Sequence, residues 1–524
     1  MTTRTRRASG RFTLGSYSQQ LEQFAASRGD AVYRQLAGLD ETMGLEAIYR
    51  DHAALFEPAA IDWLRKEANG SGDEAAQAGA LLAFAVQEHV ESAVAGLTEQ
   101  VAAAEASAII MWRGEAIPYR SAWHRAIDIA NRAERNALAA SYFDGVEAIN
   151  PLRQERFERV GEAIRSLGYA NVPAMVHATA GFDPDELAAD QRAFLTASET
   201  VYFAAVRRLL AEIDIEQGDG ARVDLDRILR GNGWDSWFPA RGLLPALRST
   251  LAGMGIDLDR QGSIMLDIEP RARKAPRAFC VGVRVPDDLR LVIQPHGGWD
   301  DYGALLHEAA HAEHFSNVDP SLPVAYRYAG DNSLTEGYGI LFDVLVGDPA
   351  WLMEMAGMPE ADAVAFADFH AFWNLGSLRS LAASLLYELY LHSGVDADLA
   401  QEQYAGMLGL TLGVRFAPQD YLAATDDNLY VARYARAAMV AGSLSAWLRT
   451  RFGEAWWRSA DAGEALVRSW SRGQQWNAED VVAHLGYDRL DWRPVLRQIR
   501  TRLIGEMSGY GGPNITTRAG TRKV

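Results

Sequence analysis

The sequence predicts a mainly α-helical protein, and three observations carry that prediction. Long segments rich in Ala, Leu, Glu and Arg repeat their apolar residues at helical spacing. Clusters of Gly, Asn and Pro punctuate them, and only one short region reads as strands. The helical segments are residues 17–37, 74–105, 119–144, 191–214, 361–393 and 429–451. Loops are expected at Asn69-Gly70-Ser71-Gly72, Asn150-Pro151, Gly218-Asp219-Gly220 and Gly231-Asn232-Gly233. Between residues 263 and 295, short apolar runs at 264–268, 278–285 and 289–294 are separated by Pro270, Pro276 and Pro286-Asp287-Asp288. That pattern predicts a small β element. Residues 1–250 read as an N-terminal helical lobe and 251–505 as a second helical lobe that carries the chemistry below. Residues 506–524, with Gly511-Gly512-Pro513 followed by Thr and Arg, read as a flexible tail.

Composition narrows the function classes. The chain has 524 residues, 48% of them hydrophobic and 23% charged, with a formal net charge of -18 and a pI of about 5.1. Nucleic-acid binding needs clustered Lys and Arg, so no nucleic-acid partner is expected. Cys280 is the one cysteine, which excludes an intrachain disulfide and a Cys-rich zinc site. The basic N-terminus lacks the apolar core of a secretory signal. The apolar runs at 79–86 and 106–112 fall well short of the roughly 20 residues that span a bilayer. The expectation is therefore a cytoplasmic protein without a membrane partner. Trp456, Trp457 and Trp470, among 14 tryptophans, suit an aromatic core or a channel wall. Neither a phosphate-binding Gly-rich loop nor a Gly-x-Ser-x-Gly nucleophile elbow is present.

The chemistry concentrates in His307-Glu308-Ala309-Ala310-His311. The surrounding residues 301–314 are good helix formers without proline, and positions i and i+4 share a helix face. His307 and His311 can present two imidazoles to one ion, with Glu308 beside a water on it. Zinc suits two His nitrogens and a carboxylate, leaving a fourth position for water, one ion per chain. Glu308 would then act as general base. Glu336, at the start of the apolar segment 336–343, is the candidate third ligand, with a helix-terminal carboxylate as the plainer reading. Asp343 lies two turns further on the same face and could orient a ligand or simply meet solvent.

These residues resemble the thimet oligopeptidase and oligoendopeptidase F family of zinc metallopeptidases. The resemblance runs through Arg273-Lys-Ala-Pro-Arg-Ala-Phe-Cys280, then Leu291-Val-Ile-Gln-Pro-His-Gly-Gly-Trp-Asp-Asp301, then Leu305-Leu-His-Glu-Ala-Ala-His-Ala-Glu-His314. It includes the Glu336 spacing and, more loosely, Leu429-Tyr430-Val-Ala-Arg-Tyr434-Ala435. It covers residues 265–345 well and 420–450 loosely. The resemblance implies a large, elongated, all-helical molecule with a deep central channel that admits short unstructured peptides. It implies His307, His311 and Glu336 as ligands, Glu308 as base, and Tyr430 or Tyr434 as phenol donors to the oxyanion. Two Tyr at i,i+4 equally suit packing along one helix face. The segment 273–280 looks like the family's substrate-facing loop.

Three positions depart from the family pattern. Ala310 stands where the family usually has Gly. Ala424 and Thr425 stand where a His is expected before Tyr430. His296 stands where the family often has Asn, and could supply the missing donor or merely cap a turn. His314 could support the site or be a solvated helix residue. The leading expectation is zinc-dependent hydrolysis of peptide bonds in short peptides. The alternatives are a zinc carboxypeptidase of a related helical fold, with Arg327 or Arg433 available to bind the substrate carboxylate, and a metal-binding protein that holds peptides with weak or no hydrolysis. The sequence leaves the oligomeric state open.

Overall fold

The computed structural model describes residues 12–426 and 428–506, with side chains through Leu503. The expected tail at 506–524 lies outside the described residues from 507 onward. The fold is mainly helical, as predicted, with two small sheets where one was expected. Two of the long helices begin where polar side chains satisfy the first free N–H groups. Thr13 and Ser16 form a reciprocal capping box ahead of Leu14–Leu36, and Asn131 Oδ1 accepts from Glu134 N at 3.1 Å ahead of Arg132–Ser166. That second cap accounts for one difference from expectation. Residues 119–144 form two helices, Tyr119–Asp128 and Arg132–Ser166, because Asn131 starts a new one.

A second difference concerns Asn150-Pro151, expected as a loop and found inside Arg132–Ser166. Proline removes one intrahelical donor and crowds the preceding turn. The side chains around it are themselves bonded: Arg153 donates to Val146 O at 3.2 Å and to Asn150 Oδ1 at 3.0 Å, while Asn150 Nδ2 donates to Gln419 O at 2.8 Å. The run at 106–112 ends one helix and enters an antiparallel hairpin, Ile109–Trp112 with Glu115–Pro118. Its two turn residues, Arg113 and Gly114, have φ of 53° and 83°, the left-handed pair that a tight two-residue hairpin requires.

The predicted β element forms the sheet that positions the site. Asp288–Val292 is central, with Ile264–Asp267 parallel on one side and Phe279–Arg284 antiparallel on the other. The loop entering Phe279–Arg284 is pinned by Lys274, whose fully buried ammonium donates at 2.9–3.0 Å to the Asp267 carboxylate and to the carbonyls of Asp267, Glu269 and Ile293. Tyr33, from the first helix, donates to the same carboxylate at 3.1 Å. That helix lies so close to the outer strand that a Cβ at Gly29 would stand 2.9 Å from Gly282 O.

One buried apolar cluster runs from Tyr17 to Leu503, so the first and last helices share a core. Trp456, Trp457 and Trp470 are fully buried in it, which resolves their role as core rather than channel wall. Among the described residues no helix is long and apolar enough to cross a membrane.

Candidate metal centre

Three helices build the site. Trp299–Ser316 carries His307, Glu308 and His311; Asn332–Asp343 carries Glu336 and Asp343; Tyr430–Phe452 carries Tyr430 and Tyr434. The first starts after a turn that Asp301 holds, its Oδ2 accepting from His296 N and Gly297 N at 2.7 Å each. The second starts at Asp331, whose Oδ1 accepts from Ser333 N at 2.9 Å. Its Oδ2 accepts from Arg436 of the third helix at 3.0 Å, and Arg436 Nε donates to Ser333 Oγ at 3.1 Å. This buried bracket ties the Glu336 helix to the tyrosine helix.

Glycine sets how closely they approach. A Cβ at Gly339 would lie 2.5 Å from the His307 ring, and one at Gly337 would lie 2.8 Å from Val440. The close packing therefore falls on the Glu336 helix, and Ala310 stays fully buried in the first helix.

The donor atoms of His307, His311 and Glu336 lie within 4.8 Å of one another. His307 Nε2 and His311 Nε2 are 3.1 Å apart; Glu336 Oε2 is 3.3 Å from the first and 3.7 Å from the second. Donors about 2.0–2.1 Å from one tetrahedral ion are spaced by roughly 3.3–3.4 Å, so this triad fits zinc in spacing and in donor type. Asp343 Oδ2 lies 3.3 Å from His307 Nδ1, the position from which a carboxylate fixes a ligand imidazole.

Electrostatics follow from this crowding. Burial opposes the charged form of His307, but hydrogen bonds to Asp343 and Glu336 outweigh it and raise its pKa to about 10. Burial likewise opposes ionisation of Glu336, yet the bonds from His307 and His311 hold its carboxyl well below the usual range. Glu308 is raised, chiefly by burial and further by Glu336, against the pull of His311 and His307. Its Oε2 accepts from the Cys280 backbone N–H at 2.8 Å, so the outer strand aims the carboxylate.

The tyrosines complete the ring. Tyr430 O–H donates to Glu336 Oε1 at 2.9 Å, and Tyr434 packs edge-on to it and lines the cavity beside Glu308. Both phenols are pushed up by burial and the Glu336 charge, and so keep their protons.

Other expected residues lie elsewhere. His314 is fully buried, with Nε2 3.3 Å from Gly473 O and its ring against Phe315 and Tyr338; burial lowers its pKa to about 3, so it is a neutral packed side chain. His296 is exposed in the turn before the motif helix. Thr425 Oγ1 donates to Leu422 O at 3.1 Å, closing its own turn. Arg327 is engaged with Glu22 and Val285 O at 2.8 Å each, and Arg433 donates to Gln87 at 3.5 Å while lying over the Tyr430 ring.

Beside the triad is a cavity of about 300 Å³. Its lining includes Arg277, from the segment expected to face substrate, Trp299 and Asp300, from the segment leading into the motif, and His370 and Trp373, which no sequence pattern pointed to. Helix spacing held part of the signal, since Asp300, Gly303 and Ala304 precede His307 by seven, four and three residues and share its face.

No family model and no curated protein matches the sequence. Solved structures do. A PZ peptidase A captured with an inhibitor superposes with a TM-score of 0.67 at 12% identity, covering 94% of this chain and 96% of that one. A protein assigned as an oligoendopeptidase F gives 0.66 at 16% identity, over 94% and 90% of the two chains. Another so assigned, from Bacillus anthracis str. Ames, gives 0.61 at 16% identity, over 94% and 95%. The chain thus has, over nearly its whole length, the helical fold of the oligoendopeptidase F and PZ peptidase structures, the fold that the resemblance implied.

Proposed function

We propose that the protein is a zinc-dependent metallopeptidase that hydrolyses peptide bonds of short, unstructured peptides in the manner of an oligoendopeptidase. The convergence of His307, His311 and Glu336 within 4.8 Å, with Glu308 alongside, is the observation that carries this reading. The fold shared with peptidases supports it. In this reading residues 251–505 form the catalytic lobe and residues 1–250 the helical lobe that packs against it.

The triad would hold one zinc, which when bound supplies Lewis acidity to polarise a carbonyl and acidify water. This chain's residues supply the rest. Glu308, aimed by Cys280 N–H and raised by burial, takes the proton of the attacking water and passes it to the leaving amine. Asp343 holds the His307 ring through Nδ1. Tyr430 and Tyr434 both face Glu336, and Tyr434, which lines the cavity beside Glu308 and keeps its proton, is the phenol placed to turn to the substrate oxyanion. Thr425 offers no replacement for the histidine expected near it, so the donor role rests on the tyrosines.

The test is product analysis by mass spectrometry after incubating short peptides with zinc-loaded protein. Internal fragments that vanish on chelation support the reading. Stepwise loss of C-terminal residues favours the carboxypeptidase alternative, and intact peptides in every case contradict hydrolysis.

A further inference from the structure

The cavity beside the triad holds a feature that peptide hydrolysis alone does not require. Part of its wall is aromatic, with Trp299 edge-on to Trp373 at 5.3 Å between ring centroids and His370 stacked on Trp373 at 5.3 Å. His370 is buried and pushed down to about 4 by that burial, so the wall is uncharged at neutral pH. At about 300 Å³ the space is at the small end for ligand pockets and suits the side chain of one residue.

Arg277 is the one Lys or Arg among the residues lining this cavity, in a chain of net charge -18. Three-quarters of its side chain is exposed, and its nearest acid, Asp300, is 3.8 Å away and itself half exposed. Such a pair is weak, so the guanidinium is free to exchange Asp300 for a better-placed carboxylate, which it can grip with two parallel N–H donors. The cavity's other acids are engaged: Asp343 on His307 and Glu308 on Cys280 N–H. Arg327 and Arg433, available in the sequence for a substrate carboxylate though nothing singled them out, contact other partners.

We propose that Arg277 and the Trp299–Trp373 wall form a substrate subsite that takes an apolar or aromatic residue next to the scissile bond and binds a substrate carboxylate within one residue of it. This rests on the peptidase reading above. The carboxylate has two chemical sources, the free C-terminus of a short peptide or an Asp or Glu side chain. Loss of one or two C-terminal residues, the carboxypeptidase mode above, follows from the first, and cleavage beside internal acids, the oligoendopeptidase mode, from the second.

The test measures binding as well as turnover. Zinc-loaded Glu308→Gln protein is titrated by calorimetry with matched peptides: free acid against C-terminal amide, and internal Glu against Gln. The wild type is assayed for cleavage of the same set. One carboxylate of the two should improve affinity about tenfold or more, the scale of a charged hydrogen bond. Adding Arg277→Ala should erase that preference while leaving the amide and Gln peptides unchanged, and Arg277→Lys should restore part of it. Preference for the free acid assigns the C-terminal source, and preference for Glu the internal one. If peptides bind and are cut with no carboxylate preference, or Arg277→Ala weakens all of them equally, the subsite is wrong and the peptidase reading stands. If no peptide binds or is cut, both fail.

Discussion

Two buried carboxylates, Glu88 among the N-terminal helices and Glu336 in the metal centre, sit in opposite surroundings. Glu88 is 2% exposed; Tyr49 O–H donates to it at 2.6 Å and Arg28 lies 3.4 Å away. Burial dominates there and raises its pKa despite both partners. Glu336 is 8% exposed, and its two imidazole neighbours overcome burial and lower its pKa. The partner type matters more than the depth. A guanidinium and a phenol have no nitrogen lone pair to lend to a cation, whereas two imidazoles and a carboxylate meeting at one point do. Glu88 therefore reads as a packing device, and Glu336 keeps the donor set that the proposed ligand role needs.

That contrast can be broken or sharpened by substitution, beginning with the largest effect. Glu308→Gln should lower turnover by about 10³-fold, within the range for general acid–base catalysis, with zinc content and melting temperature unchanged. Steady-state kinetics with metal analysis checks this. Asp343→Ala should weaken zinc binding by about 10–100-fold, because the His307 ring loses its Nδ1 partner; competition against a chromogenic chelator reads the loss.

Asp331→Asn should cost about 3 kcal/mol by denaturant unfolding, since it removes one partner of a buried pair and loosens the bracket between two site helices. The same bracket gives a pH signature. Burial opposes ionisation of Asp331, but Arg436 and the Ser333 bond outweigh it and lower its folded pKa. Its contribution is then fully present above the unfolded value of about 4 and is lost as pH falls through the lower folded value. Stability of the wild type should thus drop more steeply below about pH 4 than that of Asp331→Asn. Smallest of all, Glu88→Gln should change stability by about 1 kcal/mol or less and leave turnover and zinc content untouched, because Gln still accepts from Tyr49 and needs no charge buried.

The candidate metal triad was legible in the sequence for a physical reason. His307, Glu308 and His311 obey helix spacing, and Glu336 and Asp343 lie on a second helix with the same periodicity, so local geometry alone aligns them. What stayed hidden depends on tertiary structure. Cys280 orients Glu308 through its backbone N–H, which no side-chain pattern records. His370 and Trp373 reach the cavity from a helix some sixty residues downstream of the motif, Glu360–Leu391. Pro151 reads as a break, yet the helix runs through it. Arg113-Gly114 turns a hairpin without the usual Asn or Asp.

The central claim is that His307, His311 and Glu336 hold one zinc. The most direct measurement is zinc stoichiometry with X-ray absorption at the zinc edge, on wild type and on Glu336→Ala. One zinc per chain with nitrogen and oxygen neighbours at about 2.0–2.2 Å, weakened or lost in the variant, is the expected result. A wild type that binds no zinc, or a Glu336→Ala protein that keeps it with an unchanged shell, would contradict it.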